Sequence, residues 1–479
     1  MALSGQATTQ SPQARQSFAL GVWAVFFPCT HSLKRTSAGI SAYSASSMGP
    51  MAKTSYGQTS KQSAFPSQRC LSTTGRHRPG GALHSSPGLC GSLAARFALS
   101  GFFGFVMASL DQTPSRLDAL ANLITLPPNA MANLDNLTPY SAVTLPSFTP
   151  QGASVDVICV AARFSMPPPG TRNSSILSIC EEQRPPPLAD IFRGSPGASS
   201  LRHEAQVAPI RLGTDIYIDG SVRAPKGDPV TEMMVGVDVG PCRAWLRVFG
   251  DRVWYRRLLG GLALSESSPF VSLPLCYERS FGGSIFDDSG RLVDWEPRNP
   301  VGQGFFTKAA QAIGQPAPNF EHPEKPIQTW DDRPPPVGFG PIARQWQPRL
   351  ALAGTFDDNW TRTRTPLWPD NFDPRFYNAA ASGLIATERL LGGEQVRLTG
   401  FSTEGIIEFR LPKVRIAVLR QRRHGNRRTA LLGLDGVLLE PDEQTVTLYF
   451  RASLPAETAP SARDVDIVRE LEPWEDLAG

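Results

Sequence analysis

The first 106 of the 479 residues contain no aspartate and no glutamate. The same segment carries nine basic residues and 18 serines, with scattered prolines and no sustained apolar periodicity. Too little apolar surface recurs on one face to offset the entropy of ordering such a chain. We therefore expect residues 1–106 to be disordered, and to be translated upstream sequence ahead of a start at or near Met107. A natural disordered extension and an organellar targeting peptide are the alternatives.

The formal net charge of +4 conceals two parts of opposite sign. Residues 1–106 contribute +9, whereas residues 107–479 contain 38 basic and 43 acidic residues and carry −5. The overall charge therefore gives no argument for an anionic partner of the folded part, and only a local basic cluster could do so.

The sequence also lacks the common catalytic and nucleotide-binding patterns. There is no G-x-S-x-G, H-E-x-x-H, G-x-x-x-x-G-K-[ST] or EF-hand loop. The segment Gly302-Gln303-Gly304 imitates the start of a dinucleotide loop, but it lacks the third glycine and a preceding strand. We expect no cofactor and no metal.

Histidine and cysteine are scarce in the patterns that bind metals. His203-Glu204 and His322-x-Glu324 are isolated pairs, which we expect to be solvated in loops rather than to ligate a metal. The seven cysteines include no C-x-x-C, which argues against a zinc site and a disulfide framework. Free thiols in a reducing cytoplasm are expected for the four cysteines after residue 106: Cys159, Cys180, Cys242 and Cys276.

Glycine and proline are abundant instead, with 42 and 44 residues, and period-2 alternation of apolar residues recurs between them. The alternating positions are Ile216, Ile218, Val222, Met233, Val235, Val237, Val239, Ala244, Leu246, Val248, Val396, Leu398, Ile407, Phe409, Leu411, Val414, Ile416, Val418, Val446, Leu448 and Phe450. This pattern predicts a mainly β protein with antiparallel sheets, sandwich or barrel-like, and few short helices. The strands after Gly393 are predicted to form one meander of hairpins.

The same patterns suggest a division of the chain. We expect a linker with a short helix at 117–124 in residues 107–139, and a β-rich domain at 140–455. Within that domain, residues 265–380 are rich in proline, glycine and aromatic residues, and they predict ordered turns and short helices packed on the sheet. We expect residues 456–479 to form an acidic tail that is helical from 463 and frayed at its end.

Carboxylates in the central block raise the possibility of hydrolysis. Glu278 paired with Asp294 or Asp332 would suit a carbohydrate-active hydrolase, if the two groups lay about 5–9 Å apart. The favoured interpretation is structural, because Glu278-Arg279 and Asp332-Arg333 place opposite charges together in an irregular region. Such groups hold loops through ion pairs and bonds to the backbone.

One basic cluster lies in the otherwise acidic folded part. Residues 410–428 contain eight basic residues and no acid. The candidate patch consists of Arg415, Arg420, Arg422, Arg423, Arg427 and Arg428. A solvated hairpin tip is the favoured interpretation; an acidic protein partner comes next, and nucleic acid last, because no aromatic stacking residue lies between Arg410 and Arg428.

Seven separated segments between residues 246 and 375 resemble those of a known family. They are 246–252 (LRVFGDR), 274–283 (PLCYERSFGG), 299–305 (NPVGQGF), 332–334 (DRP), 338–341 (GFGP), 354–357 (GTFD) and 372–375 (FDPR). In order and spacing they are similar to a bacterial domain-of-unknown-function family encoded beside type VI secretion spike (VgrG) and PAAR genes. The resemblance covers roughly residues 140–455.

Members of that family are regarded as adaptors or chaperones that load a toxic effector onto the spike. The resemblance therefore implies a cytoplasmic, β-rich, non-enzymatic protein whose partner is a secreted effector, PAAR or VgrG protein, with no membrane association. Possible partner-binding residues from the matching segments are Tyr277, Glu278, Arg279, Phe281, Gly282, Gly283, Asn299, Pro300, Gly302, Gly304, Asp332 and Arg333. A purely structural role for Tyr277, Phe281 and the two adjacent glycines is the favoured interpretation of that segment.

Overall fold

The structure is a computed structural model that describes residues 133–171, 177–422, 427–456 and 464–475. The extension at 1–106, the helix expected at 117–124, and Arg423 with His424 lie outside the described residues. No helix within the described ranges is long and apolar enough to cross a membrane.

β-strands dominate the described residues, with 40% strand and 8% helix, so the predicted fold class is confirmed. The first strands are β1 Asn133–Asn136, β2 Ser141–Phe148, β3 Ser154–Ser165, β4 Ile191–Phe192, β5 Leu201–His203, β6 Thr214–Ile218, β7 Ser221–Arg223, β8 Glu232–Val239, β9 Cys242–Phe249, β10 Arg252–Arg256, β11 Leu262–Leu264, β12 Ser272–Pro274 and β13 Phe281–Gly282. The remaining strands are β14 Ser284–Phe286, β15 Leu292–Trp295, β16 Gln303–Gly304, β17 Pro316–Ala317, β18 Phe320–Glu321, β19 Ile385–Ala386, β20 Gln395–Thr399, β21 Ile407–Arg410, β22 Ile416–Gln421, β23 Arg428–Leu431, β24 Gly433–Glu440, β25 Thr445–Pro455 and β26 Val465–Glu470.

The helices of the described part are short. They are α1 Ala309–Ala312, α2 Asp358–Thr363, and 3₁₀ helices at Pro225–Gly227, Tyr277–Arg279, Arg349–Ala353 and Pro374–Tyr377. Helix α2 begins at a capping residue, Asp357, whose carboxylate accepts a hydrogen bond from the Trp360 N–H at 2.8 Å.

Two large sheets share one hydrophobic core. The first has six strands in the order β19-β6-β24-β25-β3-β2, and the second has five in the order β18-β9-β8-β20-β21. The apolar positions that alternate in the sequence point into this core, as Val237 of β8, Leu398 of β20 and Leu448 of β25 illustrate with no exposed surface. A four-stranded sheet, β1-β26-β22-β23, adds Ile416 and Val468 to the same core.

The strands after Gly393 form hairpins, but these do not make a single meander. Hairpin β20–β21 belongs to the five-stranded sheet, β22–β23 to the four-stranded sheet, and β24–β25 to the six-stranded sheet. The alternation marks at least one strand of each hairpin, because it reflects local pairing. It carries no information about which sheet a hairpin joins, since all of these sheets bury one apolar face in the same core.

The acidic tail contains a strand, β26, whereas its sequence suggested a helix. Strand β26 pairs antiparallel with β22 and parallel with β1, so residues 465–470 are part of the fold. Its buried positions are Asp466 and Val468. Because a carboxylate occupies one of the two buried positions, the apolar alternation that would predict a strand is broken.

The central block, residues 265–380, contains the predicted ordered turns and short helices packed by aromatic side chains, and also seven short strands, β12 to β18. Trp368 lies at the centre of one cluster, with ring centroids 4.4 Å from Phe372, 5.1 Å from Phe376 and 6.3 Å from Phe356. A second cluster surrounds Trp254 and includes Phe281 and Ala317. These clusters hold an irregular chain in a fixed position beside the sheets.

Candidate functional site

The family-like segment 274–283 contains a 3₁₀ turn that is fastened to Ser200, the residue directly before β5. The Glu278 carboxylate accepts hydrogen bonds from the backbone N–H and the hydroxyl of Ser200, both at 2.7 Å. The Tyr277 ring is buried edge-on against Trp346, with centroids 5.6 Å apart, and its hydroxyl donates to the Gly340 carbonyl at 3.3 Å. Glu278 therefore bonds to the backbone, as the structural interpretation expected.

Asn299 and the glycines interlock directly behind this turn. The Asn299 side-chain amide donates to the carbonyls of Tyr277 at 2.8 Å and Phe281 at 3.0 Å. Gly282 has φ +153, and a Cβ there would lie 2.1 Å from the Asn299 carbonyl oxygen. A Cβ on Gly302 would lie 2.6 Å from the Ser280 carbonyl oxygen. Only glycine permits this close approach of two backbone segments.

Other motif residues complete the same frame. Strands β13 and β16 pair in parallel, so that Phe281 lies opposite Gln303 and Gly282 opposite Gly304. The Gly283 backbone donates to the Asn299 carbonyl at 2.9 Å. The Pro300 carbonyl accepts from the Ser284 hydroxyl at 2.8 Å.

Arg279, Asp332 and Arg333 are also engaged locally. Arg279 donates to the Asn319 side chain at 3.0 Å. Asp332 accepts from the Gln328 and Thr329 backbones at 2.7 and 2.8 Å. Burial is the largest single effect and would raise the pKa of its carboxyl, but these bonds, the Thr329 hydroxyl and Arg333 together outweigh it and hold that pKa below the usual range. Arg333 lies over the Phe305 ring, 5.0 Å from its centroid.

The three carboxylates considered for hydrolysis each bond to a different segment. Glu278 bonds to Ser200, Asp332 to the turn at 328–329, and Asp294 to the neighbouring Trp295 N–H at 2.8 Å. Each is used to hold backbone in place.

The basic cluster divides between the interior and the surface. Arg420 has only 1% of its surface exposed, and its guanidinium lies 2.7 Å from Asp466 and 2.8 Å from Asp156. Arg422 lies 3.5 Å from the same Asp466 carboxylate. Arg420 therefore cannot contribute to a surface patch, because its position on β22 faces the interior.

The remaining described arginines of the cluster have different surroundings. Arg415 is half-buried and lies 3.4 Å from the carbonyls of Glu472 and Pro473. Arg427 and Arg428 are exposed at the β22–β23 connection. The described arginines of the cluster therefore do not all lie at one solvated hairpin tip, since Arg420 is buried and Arg415 is half-buried.

A buried ion network covers the outer face of the six-stranded sheet, and sequence reasoning missed it. Glu204, which follows β5, lies 2.9 Å from Arg211 and 3.4 Å from Arg344, and it also contacts Arg349. Burial alone would raise the pKa of Glu204, but the three arginines outweigh it and lower that pKa to about 2.

The network continues along the strands. Arg451 of β25 donates to Asp435 at 2.5 Å and to the carbonyls of Gln206 and Ala208 at 2.9 and 2.8 Å. Arg211 shares the Gln206 side chain with Arg451. The alternation in β25 assigns Arg451 to a solvent face, because Val446, Leu448 and Phe450 form the apolar face. That second face is covered by residues 204–211 instead, and no local pattern marks such a cover.

A cleft of about 270 Å³ opens beside the network. Its lining includes Arg184, Arg202, His203, Glu440 and Tyr449. His203 lies on β5 rather than in a solvated loop, and Glu204 turns into the buried network, so the expectation for this pair is wrong. Leu201 packs inward and fixes the strand that carries the histidine.

His203, Asp219 and Glu440 place their ligand atoms within 4.8 Å of one another, a spacing that a metal ion would tolerate. Both Asp219 oxygens already accept from guanidinium groups, from Arg202 at 2.6 Å and Arg193 at 2.9 Å. Burial opposes ionisation of Asp219, yet His203 and these arginines hold its pKa below the usual range. These three side chains are therefore better explained as partners of the neighbouring arginines than as ligands of a bound cation.

The pKa of Glu440, which also lines the cleft, is shifted in the opposite direction from that of Asp219. Burial and the neighbouring Glu443 raise the pKa of Glu440. His203 lies 4.0 Å away and Thr445 donates to the carboxylate at 3.2 Å. The cleft is thus a mixed, nearly neutral set of charges.

The four described cysteines are free thiols, as expected. Burial raises the pKa of Cys159 and of Cys276 to about 11. Thiols with such values are protonated near neutral pH and are poor nucleophiles.

Comparison with known protein families gives a match that includes these segments. Residues 151–451 match the family described as an uncharacterized protein conserved in bacteria, DUF2169. The chain belongs to this family. No curated protein and no solved structure matches the chain.

The DUF2169 match contains the interlocked frame, the ion network and the cleft. It begins just before β3 and ends within β25. Strands β1, β2 and β26 therefore lie outside the matched residues. β2 is an edge of the six-stranded sheet, β1 is an edge of the four-stranded sheet, and β26 lies between β1 and β22.

Proposed function

We propose that this DUF2169 protein is an adaptor or chaperone that binds a type VI secretion effector, or the PAAR or VgrG protein that carries it, before export. Binding takes place in the cytoplasm, without catalysis and without a cofactor. The resemblance of the central segments to proteins encoded beside spike genes suggests this class of partner.

Exposed apolar side chains on two hairpins, β10–β11 and β14–β15, carry the proposal. Leu258 and Leu259, between β10 and β11, have relative exposures of 106% and 102%. On the β14–β15 hairpin, Phe286 is 60% exposed and Val293 is 57% exposed. Single exposed apolar residues are ordinary, but adjacent, wholly exposed leucines on a projecting turn are typical of a surface that another protein covers.

The frame supports a binding role because it keeps these hairpins in place. Asn299 and Gly282 lock the β13–β16 pair, from which the β14–β15 hairpin emerges. A surface that is ordered before binding loses less conformational entropy when the partner docks. The motif residues thus contribute to binding by positioning the hairpins.

Effector secretion tests the proposal in cells. Deleting the gene should abolish or strongly reduce release of the effector encoded nearby, while other effectors of the same secretion system are still released. The full-length chain supplied in trans should restore release. Unchanged release of every genetically linked effector, PAAR and VgrG protein in the deletion strain would contradict the proposal.

A further inference from the structure

The β10–β11 hairpin projects a free tip. Strand β10 pairs antiparallel with β11, and the Arg257 backbone donates to the Gly261 carbonyl at 3.1 Å to close the turn. Gly260 and Gly261 have φ values of +92 and +79, and a Cβ on either would meet no atom within 4 Å. The tip is therefore surrounded by open space.

The base of the hairpin is held firmly on one side. Trp254 is 2% exposed and packs with Phe281 and Ala312. Arg252 donates to the Pro318 carbonyl at 2.6 Å and to Glu321 at 2.5 Å. These contacts fix the direction in which the tip points.

The other side of the hairpin is apolar and exposed. Val253 and Tyr255 alternate with the buried Trp254, and they are 41% and 47% exposed. They lead along β10 to Leu258 and Leu259 at the tip. Tyrosine and leucine on a pre-ordered hairpin form a continuous stripe that an apolar groove could cover.

The hairpin carries charge of one sign. Residues 252–264 include Arg252, Arg256 and Arg257 but no acid. Arg252 is paired at the base with Glu321, whereas Arg256 and Arg257 are exposed and form no ion pair with any residue that the structure describes. The complementary surface therefore has carboxylates beside an apolar floor.

We infer that the β10–β11 hairpin is the docking element of this protein and inserts Leu258 and Leu259 into an apolar groove rimmed by acidic residues on its protein partner. The inference rests on the proposed function and names the surface that performs it. An anionic membrane is the less favoured occupant, because residues 107–479 carry a net charge of −5 and two leucines provide little membrane anchoring.

Affinity measurements on the full-length chain test the inference. The probes are the purified effector, PAAR and VgrG proteins encoded beside the gene. The double substitution Leu258→Ser with Leu259→Ser should weaken binding at least about 30-fold, equivalent to about 2 kcal/mol at 1.4 kcal/mol per factor of ten. The matched control is Leu391→Ser, since Leu391 is 81% exposed elsewhere on the surface.

Charge reversal tests the acidic rim separately. Arg256→Glu with Arg257→Glu should weaken binding at low salt, and the difference from the unchanged protein should shrink at high salt because screening weakens exposed charge pairs. Lys226→Glu alters another exposed cation and should leave the affinity unchanged.

Each outcome decides between the two claims. If the unchanged protein binds a probe and the leucine variant binds it equally well, the hairpin inference is wrong and the adaptor function stands. If the unchanged protein binds none of the probes, the adaptor function fails and the hairpin inference fails with it. Binding to vesicles of equal parts phosphatidylcholine and phosphatidylglycerol that the leucine substitutions abolish would replace the protein groove with a membrane.

Discussion

Three arginines surround one buried carboxylate, Glu204, on the outer face of the six-stranded sheet. The charge of Arg211, Arg344 and Arg349 is only partly balanced by Glu204 itself, and Asp190 pairs with Arg344 at 3.3 Å. Buried ion pairs often contribute little net stability, yet removing one partner leaves an uncompensated charge. Loss of the Glu204 charge would thus deprive three arginines of a shared partner at once.

The substitution Glu204→Gln should lower the free energy of unfolding near neutral pH by about 3–5 kcal/mol, because it leaves buried arginines without their carboxylate. The folded pKa of about 2 lies below the ordinary value of 4.5, so the carboxylate stabilises the fold above pH 4.5. This stabilisation is lost as the pH falls through 4.5 towards 2. The difference between the two proteins should therefore shrink by up to about 1.4 kcal/mol per pH unit in that range.

Urea unfolding at several pH values measures this difference. Glu388→Gln provides the control, since Glu388 is exposed and its substitution should change little at any pH. A difference between Glu204→Gln and the unchanged protein that stays constant from pH 6 to pH 3 would contradict the assigned role.

Individual residues show what local sequence can and cannot predict. The structural role of Glu278 follows from its position in an irregular, charged segment, and the structure confirms its bonds to Ser200. The network of Glu204 depends on a contact across 145 residues to Arg349, and Arg420 reaches Asp156 across 264 residues. No period or spacing brings such partners together before the fold is known.

At the scale of elements, the β13–β16 pair depends on glycine at its closest approach. Gly282→Ala would put a methyl group 2.1 Å from the Asn299 carbonyl oxygen at a φ of +153. We expect it to lower the free energy of unfolding by about 2–5 kcal/mol, through steric overlap and backbone strain together. Thermal or chemical unfolding measures this loss.

Gly290→Ala separates the two causes. Gly290 also has a positive φ, +78, but a Cβ there would meet nothing within 4 Å. This substitution should cost only about 1–2 kcal/mol for the left-handed backbone. Equal losses for the two variants would mean that the close approach to Asn299 is not significant.

Strand β26 is held by a buried charge pair that joins three elements. Arg420 of β22 contacts Asp466 of β26 and Asp156 of β3, and it donates to the Pro455 carbonyl at 2.6 Å. Asp466→Asn should destabilise the protein by about 3–5 kcal/mol, because Arg420 keeps its burial but loses a charged partner.

Hydrogen exchange resolved by segment checks this prediction. The amides of β26 and β22 should lose more protection than those of β8 and β9 in the five-stranded sheet. Arg428→Met, at an exposed position on the neighbouring β23, is the control and should leave exchange nearly unchanged. Uniform loss of protection across both sheets would show that the pair does not act specifically on β26.

A strand can be predicted from the sequence where one of its faces is apolar and the other is polar. Strands β8, β20 and β25 follow this rule, and their alternation is visible in the sequence. Strand β24 is buried on both faces and β26 buries an aspartate, so neither shows the alternation. The assignment of hairpins to three sheets depends on tertiary packing, which lies beyond local pattern.

For the whole molecule, the distribution of charge matters more than its sum. The net charge of +4 combines +9 in residues 1–106, which lie outside the described residues, with −5 in the remainder. Arg420, which appeared to belong to the basic cluster, is neutralised in the interior. The exposed basic and apolar tip of β10–β11 is the feature on which we base recognition of a partner.

The most direct test of the adaptor claim is size-exclusion chromatography with light scattering on the purified full-length chain. The purified protein is mixed in turn with the effector, the PAAR protein and the VgrG protein encoded beside its gene. We predict a stable complex of defined stoichiometry with at least one of them, formed without any chemical change in either protein. Separate elution of this protein from all three, at micromolar concentrations and low salt, would contradict the account.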